Sequence, residues 1–131
     1  MSLKWLEDSN DSINLKIRER MGTSYSHFNE RGILTSSIAA GEVYKVAFIE
    51  LNQQIEGQFE KLSKLKLLKK KEVKLSSKIM NELINNINEE VIRDISVKTN
   101  TEPNSILVTN FIREAKNKVA YSVEQLSREI K

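Results

Sequence analysis

The stretch YKVAFIELNQQIEGQFEKL, residues 44–62, decides the fold. Tyr44, Phe48, Leu51, Ile55 and Leu62 step by four, three, four and seven, with Phe59 beside them. A helix turns once in about 3.6 residues, so this spacing gathers all six on one face. A half-buried strand would need strict alternation. No segment keeps that up: Val73-Lys74-Leu75 alternates, but over three residues only. An apolar helical stripe is stable only when it is buried against another, so further helices must cover it.

Three more stripes supply the cover. The first is Leu6, Ile13, Ile17 and Met21, with Asn10 filling the gap. Gly22 follows as a plausible helix stop. The segment 22–34, GTSYSHFNERGIL, is rich in loop formers and reads as a loop, with Thr35 or Ser36 capping the next helix. The third stripe is Ile79, Leu83, Ile87, Val91 and Ile95. The fourth is Val108, Ile112, Ala115, Val119, Val123, Leu126 and Ile130, after the turn signal at 99–103. Pro103 is read as a first-turn proline. The expected fold is all-α, a helical bundle of about four main helices over residues 1–131. The second helix is the longest and reaches toward Lys70. Its spacing, like that of the fourth, drifts close to a heptad, which allows coiled-coil-like packing within or between chains.

Two related helical hairpins, about 3–70 and 76–131, are one reading of this pattern. A shift of 73 lays Ile33-Leu34 on Ile106-Leu107 and Lys45-Val46-Ala47-Phe48 on Lys118-Val119-Ala120-Tyr121. A shift of 74 lays Leu6, Ile13, Ile17 and Met21 on Met80, Ile87, Val91 and Ile95. Amphipathic coincidence is the other reading.

Composition excludes several classes. With 39% hydrophobic and 30% charged residues, the chain has the apolar content of a folded protein. It has no cysteine, so structural disulfides and thiolate metal sites are ruled out. Glu7, Asp8 and Asp11 occupy the place where a secretion signal would be apolar, and no apolar run approaches bilayer length. The expected compartment is therefore cytoplasmic, without a membrane partner. Ile130-Lys131 falls inside the amphipathic pattern, as the end of a trimmed piece would.

No enzymatic constellation assembles, and no cofactor or metal is expected. His27 is the one histidine, too few for a usual zinc site or for the Glu-x-x-His pairs of a di-iron bundle. Nothing in the spacing singles out a serine nucleophile for it. Gly22 and Gly32, ten apart, match no phosphate-binding loop. Arg20 and His27, with six residues between them, resemble the Arg-to-His spacing of HEPN-type ribonucleases over those two residues. A helix ending at Gly22 would take them off a common face. Trp5 lies off the centre of the first stripe and is read as closing the edge of its own core rather than anchoring a partner.

Two features point outward. Segment 61–74, KLSKLKLLKKKEVK, holds seven lysines and one acid, whereas the rest of the chain is net negative. The positive field is thus local. On a continuous helix Lys66, Lys69, Lys70 and Lys74 would share a face, and Leu62, Leu65 and Leu68 suggest that the helix continues. With Lys64 and Lys71 they form a candidate polyanion site within the basic segment 61–78. No aromatic or arginine is interleaved at 61–74, so only sequence-independent phosphate contact is signalled. The alternatives are a solvated helix end, where cations stabilise the last turn by about 0.3–1 kcal/mol each, and a contact with a protein or an anionic membrane surface. The second feature is Ala39-Ala40-Gly41, smooth enough for close helix approach, with Tyr44 and Phe48 beyond it. A tight helix contact there and a mild bend or late helix start are both open. The expectation is a non-enzymatic structural or interaction module acting through helix faces, with a protein partner or itself as homo-oligomer. Sequence-independent binding of nucleic acid is the alternative.

Overall fold

Several helix ends have an identifiable local reason. The computed structural model describes residues 2–66 and 68–130, and it holds four helices: α1 (Lys4–Glu30), α2 (Ser37–Ser63), α3 (Lys70–Thr99) and α4 (Ser105–Glu129). Lys131 lies outside the described residues. Ser36 caps α2, its hydroxyl accepting from the Ala39 backbone N–H at 3.1 Å. Asn104 caps α4, accepting from the N–H groups of Ile106 and Leu107. Pro103 is therefore not in the first turn but one residue before the cap, where it is buried. Asn100, at φ 56°, ends α3 in the left-handed conformation that asparagine tolerates.

α1 overrides the stop expected at Gly22. It runs two turns further, and Phe28 is buried on the core while Tyr25 is half-buried against it. A helical glycine costs about 1 kcal/mol relative to alanine. Burying a phenylalanine returns about 1.5–3 kcal/mol, so the helix continues. The stop is Gly32, at φ 72°. Its N–H donates to the Asn29 carbonyl at 3.0 Å, and the Ile33 N–H donates to the Phe28 carbonyl at 3.0 Å. This is a Schellman closure, and it needs the left-handed residue that glycine supplies without strain.

α2 also differs from expectation. It ends at Ser63, with Lys64 at the C-cap, and does not reach Lys70. The segment between it and α3 is a joint, in which Leu65 and Leu68 remain half-buried against the core.

The hairpins α1–α2 and α3–α4 are antiparallel and lie side by side. α1 runs parallel to α3: Asn14 reaches Glu90, and Tyr25 reaches Asp94. α2 runs parallel to α4: Gly41 faces Leu107, Tyr44 and Phe48 meet Phe111, and Lys118 pairs with Glu56. α2 and α3 pack on each other, while α1 and α4 stand apart on opposite flanks. All six stripe residues of α2, the whole first stripe except the half-buried Asn10, and the whole third stripe are buried. On α4 only Ala115, Val119 and Leu126 are fully buried, and the other stripe members are half-buried against the core. Trp5 sits half-buried at the edge of the core.

The two shifts behave differently. The 74-residue shift joins buried positions to buried positions throughout. The 73-residue shift joins buried Phe48 to Tyr121, which is 65% exposed.

One side chain ties three helices. Tyr44 stacks on Phe48 at 4.8 Å between ring centroids and meets Phe111 edge-on at 5.9 Å. Its buried hydroxyl donates to Asn88 Oδ1 on α3 at 2.6 Å. Tyr44→Phe is expected to lower stability by about 1–3 kcal/mol, because it leaves that amide oxygen buried without its donor. Urea unfolding measures the change. Gly22 has nothing within 4 Å of an added Cβ. Gly22→Ala is therefore expected to raise stability by up to about 1 kcal/mol. Gly32→Ala is expected to lower it by about 1–2 kcal/mol. Thermal melts of the two variants should move in opposite directions.

Candidate interaction surfaces

The basic segment folds as an end of the bundle rather than as one helix face. Lys64, Lys66, Lys69, Lys70, Lys71 and Lys74 are all exposed. Lys66 and Lys69 lie in the joint or at its edge, Lys70 and Lys71 open α3, and Lys74 stands one turn on. The single face expected for Lys66, Lys69, Lys70 and Lys74 therefore does not form. The helix-end explanation also changes sign for part of the run. Lys61 occupies the last turn of α2, but Lys70 and Lys71 occupy the first turn of α3, where the helix dipole is positive and repels them. Buried Glu72 in that same turn opposes this. Lys64 pairs with Glu60 at 3.3 Å, and the other five of these lysines have no ion-pair partner among the described residues. Such lysines can meet phosphates as point charges.

Gly41, Tyr44 and Phe48 do make a helix contact, but it lies inside the chain. An added Cβ on Gly41 would sit 3.9 Å from Leu107 of α4, an ordinary contact distance. Both aromatics are fully buried. Burial pushes the Tyr44 phenol well above its ordinary pKa. Tyr44 and Phe48 are turned into the core, and Gly41 is half-buried.

α1 and α3 meet through a polar seam. The Asn14 amide donates to the Glu90 carboxylate, which also lies 4.0 Å from the Arg18 guanidinium. The Tyr25 hydroxyl donates to Asp94 at 2.8 Å. Burial first, and then that bond to a carboxylate, raise the Tyr25 pKa far above the usual phenol value. The phenol stays protonated and acts as a fixed donor.

The outer face of the α1–α2 hairpin is open. A groove of about 710 Å³ lies between the end of α1 and the start of α2, with Phe28, Val46 and Ile38 as its apolar side and Arg20, His27 and Arg31 as its polar side. Because α1 does not stop at Gly22, His27 is on an exposed helical turn rather than in a loop, and Arg20 and His27 line the same groove two turns apart. Arg20 is engaged, with its Nε donating to Glu50 at 3.2 Å. A second groove, of about 200 Å³, continues past Val46 to Ile49 and Gln53.

Between these grooves α2 presents a stripe absent from the sequence reading. Ile38 is 65% exposed and Ile49 is 55% exposed. Glu42 and Lys45 stand between them and pair at 3.2 Å. The four residues step by four, three and four along the outward face. Their signal is a second heptad-like series on the same helix as the core stripe, visible once the core-facing side is known.

Among the described residues, no helix is long and apolar enough to cross a membrane. Comparison with protein-family models, with curated proteins and with solved structures found no match to this chain.

Proposed function

We propose that the protein is a non-enzymatic interaction module that works through its helix faces and associates with itself. The observation that supports this reading is the outward face of α2, where two isoleucines stand more than half exposed beside two grooves. Scattered surface apolar residues are ordinary. Here two lie on one helix face, at a spacing that recurs in helix-to-helix seams. Sedimentation equilibrium across a wide range of protein concentration tests the reading. The expected result is a mass rising from one chain toward two. A single-chain mass at every concentration would overturn self-association.

A second reading has its own observation. Five of the six candidate lysines at the α2–α3 joint are exposed and lack an ion-pair partner among the described residues. A sequence-independent contact with nucleic-acid phosphates would use this charge. Fluorescence anisotropy with a short duplex and a single strand, at about 50 and 200 mM salt, separates the cases. On this reading binding falls steeply with salt, and the variant Lys69→Glu, Lys70→Glu, Lys71→Glu loses it. Absence of wild-type binding at the lower salt would retire the reading.

A further inference from the structure

We propose that the partner on the outward face of α2 is a second copy of the same chain, docked with its α2 antiparallel about a twofold axis near Val43 and Tyr44. This deepens the self-association reading above and rests on it.

The register follows from four residues. In a twofold contact, residue i of one protomer meets residue j of its partner, and j meets i. With the axis between positions 43 and 44, Ile38 meets Ile49 of the second copy, and Glu42 meets Lys45. Each pairing occurs twice by symmetry. The whole stripe is therefore complementary to itself, apolar on apolar and acid on base. Other alignments fail on the same residues. Parallel docking would set Glu42 on Glu42 and Lys45 on Lys45. Shifting the antiparallel partner by one heptad, which moves the axis half that distance toward the C-terminus, would set Lys45 against Ile49 and Ile38 against Glu56, a charge against an isoleucine each time. Juxtaposed like charges at an interface are strongly unfavourable.

The surface beside the stripe agrees with this register. The larger groove lies next to Ile38 and Glu42, and its floor carries Phe28 and Val46. It is placed to receive the second copy's Ile49. The smaller groove lies beside Ile49 and Val46 and is placed to receive Ile38. The stripe side chains reach solvent, and on docking the Glu42–Lys45 pair within each chain would exchange for the same pair between chains. Both isoleucines are more than half exposed, and the Glu42 and Lys45 side chains are 51% and 45% exposed.

Charge reversal tests both the surface and the register. Glu42→Lys puts lysine opposite lysine at both ends of the contact, and Lys45→Glu puts glutamate opposite glutamate. Each variant alone is expected to weaken dimerisation by about tenfold or more. Mixed in equal amounts, the two variants should recover the dimer as a heterodimer, because every facing pair is again opposite in sign. The double swap Glu42→Lys with Lys45→Glu in one chain should dimerise like the wild type. Sedimentation reads the masses, and circular dichroism confirms that the helices persist. If the wild type dimerises and the single reversals dimerise equally well, the contact lies elsewhere and the proposal is overturned, while self-association stands. If the single reversals dissociate but neither the mixture nor the double swap recovers, the antiparallel register is overturned. If the wild type is monomeric throughout, the self-association reading falls with it.

Discussion

The Tyr44 hydroxyl is the pivot of this bundle. A phenol buried among apolar rings is tolerable only when its O–H is satisfied. Here the acceptor is Asn88 on the neighbouring helix, 2.6 Å away. That bond fixes α2 against α3 in rotation and in register. The ring of the same residue stacks on Phe48 and meets Phe111, so α4 is positioned by the same side chain. The rest of the arrangement follows. The short joint between α2 and α3 makes them antiparallel, each pairs with its own hairpin partner, and α1 and α4 are left on the flanks.

Helix positions were legible in the sequence because the core stripes are long and regular. Every residue of the α2 and α3 stripes is buried. Helix boundaries were legible where a local signal sets them. Ser36 satisfies a backbone N–H through its own hydroxyl, and that signal is local. Gly22 shows the opposite case. Its meaning depends on whether Tyr25 and Phe28 find a core to pack on, and that is a tertiary fact. The same limit applies to the lysine run. Leucines at 62, 65 and 68 resemble a continuing helix, yet Leu65 and Leu68 reach the core from an irregular joint. The candidate surface on α2 was hidden for a related reason. Its apolar members are few, and they become conspicuous only when the other face of the helix is known to be filled.

The two candidate surfaces differ in physical character. The joint carries charge without shape, and any contact there would be long-range, salt-sensitive and indifferent to sequence. The outward face of α2 carries little net charge but has an ordered alternation of apolar and charged side chains beside concave ground. Such a surface selects by register. They lie at different places on the bundle, one at its end and the other along its side, so occupation of one leaves the other open.

The flanking position of α1 and α4 has a consequence for motion. α1 is held to α3 partly by polar contacts at a half-exposed seam, and α4 buries only three side chains completely. α2 is packed by all three of the other helices. Opening that peels away α1 or α4 leaves α2 packed on two helices, whereas opening that frees α2 breaks its packing on all three. Backbone amides should therefore exchange with solvent in a layered order, with the flanks first and the middle of α2 last. The helix proposed to offer its outer face to a second copy is thus also the one held on the most sides. A surface built on it needs little ordering before it binds.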